Sequence, residues 1–119
     1  MPETNIWVVN EAGHDYSKAL DLLPDAELKP LTLGDVNPLQ LDRLAFHVSR
    51  GIVRYSSPDD YVLISGTPAL NAVVMTLWIL HHGKINLLQW DARRREYKLF
   101  TMTRDTMEST LDTEMLRNV

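Results

Sequence analysis

The chain has 119 residues, 45% of them hydrophobic and 24% charged, with a formal net charge of −4 and no cysteine. One domain fits this length, and one core sustains it, because such a chain buries roughly two-thirds of the surface it exposes when unfolded. The composition excludes disorder as the starting assumption, the acidic balance excludes wholesale coating of nucleic acid, and the missing cysteines exclude disulfides, thiolate catalysis and cysteine zinc sites.

The start, Met1-Pro2-Glu3-Thr4-Asn5, shows no basic residue followed by an apolar run, so no secretory signal is read there. The longest uncharged apolar stretch, Pro68 to about Leu80, is shorter than the ~20 residues of a membrane-spanning helix. A soluble cytoplasmic protein without membrane contact is the expectation.

Asn5 to Asn10 is a short β-branched and aromatic run that ends in the polar Glu11-Ala12-Gly13-His14-Asp15. It reads as a buried strand followed by a loop. Asp15 can cap a helix from Tyr16 to Leu23, which Pro24-Asp25 stops. Leu28 to Leu33 is a second strand, interrupted by Pro30. Proline removes a ladder donor and sends this strand to an edge. After the Gly34 to Pro38 loop, Asn37 can cap a helix with Pro38 at its first position, running to about Arg50 with Gly51 as its stop.

Tyr61 to Ile64 is the clearest strand. Ser65-Gly66-Thr67-Pro68 follows, then a helix from Ala69 to about His82, with Gly83 as its stop. Lys84 to Trp90 is a fourth strand, Asp91 to Arg94 a polar turn, and Glu96 to Met102 an antiparallel return. Residues 1–102 then form one α/β domain. Residues 103–119 are a C-terminal helical or flexible segment, a helix used in assembly or a frayed tail, with Met107, Leu111, Met115 and Leu116 at roughly helical spacing.

Strands alternating with helices imply a mostly parallel sheet. The fold expected is a small Rossmann-like three-layer sandwich of flavodoxin-like strand order, 2-1-3-4, with the fifth strand antiparallel at the edge. In such a sheet the ligand crevice lies where the winding reverses, between strands one and three. The loops leaving those strands are Asn10 to Tyr16 and Ser65 to Pro68.

In the second loop Gly66 lets a ligand approach the backbone, the free amides of a helix start attract anions, and Ser65 and Thr67 add hydroxyls. An ordinary strand-to-helix turn is the competing reading. There is no Gly-x-Gly-x-x-Gly and no phosphate-loop lysine, so a standard dinucleotide or ATP site is not expected. Asn71 either faces the ligand or satisfies a neighbouring backbone group. In the first loop Asn10, Gly13 and His14 are candidate ligand contacts, and His14 with Glu11 or Asp15 could do acid–base work. Asp15 acting only as a helix cap is the alternative. Gly34 and Asn37 would form a side wall. Asp42 and Arg43 read as a surface pair.

Arg93-Arg94-Arg95, near Trp90, Tyr97 and Lys98, is the one basic cluster. Alternation would place Arg93 and Arg95 on one face and Arg94 on the other. It could bind phosphates, or be a solvated hairpin tip. The Ala69 to Leu80 helix is apolar around nearly its whole circumference, so it is buried on more than one side, and part of it can face another subunit. A homo-oligomer, most simply a dimer, is expected.

The stretch Tyr61 to Ala72, the apolar helix after it and Ile85 to Asp91 resemble small uncharacterised proteins of tailed bacteriophages and their hosts. The turn is also faintly similar to the CRISPR-associated Rossmann-fold (CARF) domains, with Pro68-Ala69 where those often carry a lysine. The second resemblance implies cyclic-oligonucleotide binding at a dimer interface. It assigns no catalytic residue.

Three functions are therefore open. The first is binding of a nucleotide or related anion, sensed or sequestered without a cofactor or metal. The second is a nucleotide-directed hydrolase or transferase using His14, Asp15 or Glu11. The third is a structural or protein-interaction module with an empty crevice. Nucleic acid is not an expected partner.

Overall fold

The computed structural model describes residues 4–117. Met1 to Glu3, read above for a secretory start, and the last two residues of the C-terminal segment lie outside the described residues. The elements in chain order are β1 (Asn5–Glu11), α1 (Ala19–Leu22), β2 (Glu27–Leu33), α2 (Leu41–Tyr55), β3 (Tyr61–Leu63), α3 (Pro68–His82), β4 (Lys84–Asp91), β5 (Glu96–Thr103) and α4 (Arg104–Arg117). A short 3₁₀ turn, Pro38–Gln40, leads into α2.

One five-stranded sheet has the order β2-β1-β3-β4-β5. Its pairs are parallel except for β4 with β5, which run antiparallel. Pro30 sits on edge strand β2, opposite Val8, as its missing amide hydrogen requires.

Alternate residues of β1 point to opposite faces and build two cores. Trp7 and Val9 join Val62, Ile85 and Leu87 beneath Val48 and Ile52 of α2 and Leu70, Val74 and Trp78 of α3. Ile6 and Val8 join Leu63, Leu88 and Tyr97 beneath Tyr16 and Ala19. Two long helices thus cover one face, and a single short helix covers part of the other.

Three boundaries differ from the sequence reading. The first helix spans only Ala19–Leu22 instead of starting at Tyr16. The Asp15 carboxylate accepts the Ser17 amide at 2.9 Å in a local turn. At the other end Pro24 pushes Leu23 out of the helical region, to φ −132° and ψ 72°. The second helix does not stop at Gly51 but runs to Tyr55. Val48 and Ile52, one turn apart, are both buried, and a Cβ at Gly51 would stand 3.5 Å from Leu31 Cδ2. A Cβ there would make only an ordinary contact, so the burial of Val48 and Ile52 carries the helix past this glycine despite a cost of about 1 kcal/mol in propensity. In α3, only Leu70, Asn71, Val74 and Trp78 are buried, and Leu80 faces solvent. The helix therefore leaves an apolar flank open.

At the amino end of the parallel strands a buried carboxylate ties the sheet together. Asp60, 2% exposed, accepts the Trp7 indole N–H at 3.0 Å, the Asn5 amide at 3.2 Å and the Ser57 amide at 2.9 Å. Its neighbour Asp59 only pairs at the surface with Lys84, at 3.0 Å. Removing an acceptor from buried donors costs the desolvation of each, whereas an exposed pair contributes little. Asp60→Ala is expected to lower stability by about 2–4 kcal/mol in urea unfolding, and Asp59→Ala by less than about 0.5 kcal/mol. Equal losses would contradict the role given to Asp60.

Candidate functional site

β1 and β3 are neighbours, while the chain leaves β1 for β2 on one side and β3 for β4 on the other. The crevice position is therefore at the carboxyl ends of β1 and β3. Asn10 ends the buried run of β1, and the Ser65 to Pro68 turn leaves β3 toward α3.

Asn10 is buried and all its polar groups have partners. Its amide donates to Ser65 Oγ at 3.0 Å, and Ser65 Oγ–H donates back to the Asn10 carbonyl at 3.0 Å. Tyr16 O–H donates to the same carbonyl at 3.1 Å. Asn10 Nδ2 donates to the Gly34 carbonyl at 3.0 Å. The Thr32 hydroxyl lies 2.8 Å from the Val9 carbonyl and 2.9 Å from Asn10 Oδ1, and its one proton serves those two acceptors. The Gly34 amide donates to the Glu11 carbonyl at 2.8 Å. One residue thus joins β1 to its neighbours, its side chain reaching β2 and the loop after it and its backbone reaching the loop after β3.

Asn71 closes the same turn from the helix side. Its Oδ1 accepts the Ser65 amide at 3.1 Å, and Nδ2 donates to the carbonyls of Ser65 and Thr67, each at 2.8 Å. Gly66 adopts φ +81°, and a Cβ there would stand 3.0 Å from Asn10 Cβ. The room this glycine leaves is taken by Asn10. Two features of the turn stay open: α3 has no side-chain cap, and Thr67 Oγ1 is buried without a hydrogen-bond partner.

The structure brings Asn10, Gly34, Ser65, Gly66, Thr67 and Asn71 together. The remaining candidates stand apart from this cluster. Gly13, His14, Asp15 and Glu11 are exposed. His14 meets the Tyr16 ring edge-on at 6.2 Å. Hydrogen bonds from Ser17, its hydroxyl first and then its amide, hold the Asp15 carboxyl below the usual range. An acid kept ionised is a poor proton donor at neutral pH. Asn37 Oδ1 accepts the Leu39 amide at 3.0 Å and caps the 3₁₀ turn. Among the described residues Asp42 and Arg43 form no ion pair, and no group of three or more His, Asp and Glu is placed to hold a metal ion. Tyr16 and Thr32, absent from the sequence candidates, are the cluster's other two members. A phenol and a hydroxyl near strand ends were the available signal.

The basic hairpin lies at the same end of the sheet, because β4 runs parallel to β1 and β3. Residues 92–95 form its turn, so the expected alternation of the arginines between faces does not arise. Asp91 accepts the amides of Arg93 at 3.0 Å and Arg94 at 3.3 Å and pairs with Lys98 at 3.3 Å. The Arg94 amide bond is the first cause holding its carboxyl below the usual range. Lys18 Nζ donates to the Arg95 carbonyl at 3.3 Å and stands 5.6 Å from the Trp90 ring, which meets Tyr97 edge-on. A shallow hollow of ≈ 280 Å³ beside this turn includes Trp90, Arg93, Lys98 and Phe100.

Other hollows lie along the helices. An apolar groove of ≈ 360 Å³ runs between α3 and the start of α4, lined by Met75, Ile79, Leu80, Met102 and Met107. A second, of ≈ 380 Å³, lies between the end of β5 and α4 and is lined by Met102, Met107, Thr110 and Leu111 among others. No helix is long and apolar enough to cross a membrane among the described residues.

Gly66 and Gly13 separate the local terms. Both have positive φ, +81° and +87°, but a Cβ at Gly13 meets nothing within 4 Å. Gly13→Ala is expected to cost the backbone term alone, about 1 kcal/mol. Gly66→Ala adds the push on Asn10 and should cost about 1–3 kcal/mol more. Equal melting temperatures for the two variants would show that Asn10 is free to move.

The profile of one family, described as phage Pam3 gp32-like protein, matches residues 5–103. No curated protein and no solved structure matches the chain significantly.

Proposed function

The chain belongs to the phage Pam3 gp32-like family, and on that footing we propose that it is a protein-interaction module of a phage, with α4 and the grooves beside it as the docking surface. The observation that carries this reading is α4 itself. Its 14 residues bury no side chain. Yet Met107, Leu111 and Met115 recur at every fourth position, and Leu111 and Met115 are 64% and 66% exposed.

A helix this short is marginal alone in water, and packing of an apolar stripe is what ordinarily holds one. Thr103 Oγ1 accepts the Thr106 amide at 3.1 Å and caps its start. Arg104 ties that start to α3, its amide donating to the Gly83 carbonyl and its guanidinium to the Leu80 carbonyl. The rest projects. The radius of gyration is 15.3 Å, against roughly 13.5 Å for a compact chain of this length. A helix fixed at its root and bare along its stripe suits capture of another protein. The sheet, which we read as Rossmann-like from its strand order, then serves as a rigid mount.

A nucleotide or related anion at the strand-switch crevice is the second reading. The buried, partnerless Thr67 Oγ1 favours it. Against it, Asn10 and Asn71 already satisfy the crevice's polar groups.

The two readings separate in one comparison. Tagged wild-type chain and a Met107→Glu/Leu111→Glu variant are exposed to proteins of phage-infected cells and, separately, melted with phosphate and a nucleotide panel. The docking reading expects a protein held by the wild type and lost by the variant. It also expects variant melting within a few degrees of wild type, and no ligand shift. Identical retained proteins would overturn it, and a nucleotide-induced rise in melting temperature would favour the crevice.

A further inference from the structure

We infer that the partner docked by this surface is a second copy of the chain, with α4 of each copy lying along α2 of the other. This rests on the docking reading above and names its occupant. On one face α2 packs on α3, and the start of α4 borders the apolar groove along α3 before the rest of α4 projects from it. A twofold axis passing over α3 would carry each copy's projecting α4 toward the partner's α2.

The chemistry of the two outer helices is complementary. On α2, Phe46 and Val53 stand seven residues apart and are 77% and 60% exposed. Along the same side of that stripe run Arg43, Arg50 and Arg54, all exposed, with Asp42 as the only carboxylate of the helix. On α4, Met107, Leu111 and Met115 form the apolar stripe. Along one side of it run Asp105, Glu108 and Asp112, at spacings of three and four. Residues at such spacings share a helix face. Among the described residues neither set has an ion-pair partner. Each helix therefore offers exposed apolar residues beside a row of charge of one sign, and the two rows have opposite signs, with Glu114 adding to the acidic charge of α4 and Arg104 and Arg117 standing at its two ends.

The receiving surface has a matching shape. A shallow hollow of ≈ 390 Å³ between α2 and α3 is lined by Asp42, Ala45, Phe46, Ser49 and Leu77. A side chain such as Leu111 can lodge there as a ridge between two neighbouring helices. Because the pairing is isologous, it occurs twice per dimer, and both apolar stripes and both charge rows are matched together.

Charge exchange tests this directly. Arg50→Glu/Arg54→Glu makes α2 and α4 both acidic, and Glu108→Arg/Asp112→Arg makes both basic. Light scattering with size exclusion, at about 100 μM, should give a dimer for the wild type. Each charge variant alone should pair at least about tenfold more weakly. The two variants mixed should regain the dimer, since every α2–α4 contact is again between opposite signs. Raising the salt should weaken the wild-type dimer and the mixed dimer alike. A monomeric wild type, or a dimer indifferent to both charge reversals, would overturn the inference. A monomer that still loses a different protein on Met107→Glu/Leu111→Glu would overturn only the identity of the occupant, and one that loses nothing would overturn the docking reading as well.

Discussion

The fold depends on how β1 is clamped. This interior strand carries both cores on its two faces. At its beginning Asp60 holds the Asn5 amide and the Trp7 indole. At its end Asn10 holds the Gly34 carbonyl, Ser65 and Tyr16. Buried polar groups left without partners are expensive, so each clamp admits one arrangement of the neighbouring strands. Slippage of β1 by one residue would exchange the two cores and break both clamps at once.

That constraint also decides what the carboxyl end of the sheet is free to do. In many open parallel sheets the switch point is left for a ligand. Here an asparagine side chain occupies the space above the glycine turn, and a second asparagine closes the turn from the helix. Apart from Thr67 Oγ1, the polar groups of Asn10, Ser65 and Asn71 there bond to the protein's own chain. More unmatched chemistry lies on the helical face, where α4 is fixed only at its root and, among the described residues, the arginines of α2 form no ion pair.

Much of the architecture was legible in the sequence because single residues dictate it. Pro30 puts β2 at an edge, Pro68 opens α3, and Gly83, at φ +79°, ends it. Gly51 does not stop α2, because Val48 and Ile52 on either side of it are both buried and their packing carries the helix through it. The site was legible by position but not by state. The sequence placed Asn10, Ser65, Gly66 and Asn71 near one another, but whether an amide faces outward or back to the chain depends on distances between loops 55 residues apart, as for Asn10 and Ser65. Asp60 carries no mark in the sequence that sets it apart from the adjacent Asp59, although only it reaches the Trp7 indole. The charge rows of α2 and α4 acquire meaning only once α2 is seen to pack on α3 and the start of α4 to border its other flank.

The central claim is that α4 is held as a helix by contacts outside its own chain. Amide hydrogen exchange measured across a dilution series, from about 1 mM to about 1 μM protein, tests it most directly. The amides of α4 should be protected at the highest concentration and lose that protection on dilution, while those of β1 stay protected throughout. Exchange in α4 that is the same at every concentration, whether fast or slow, would contradict the account.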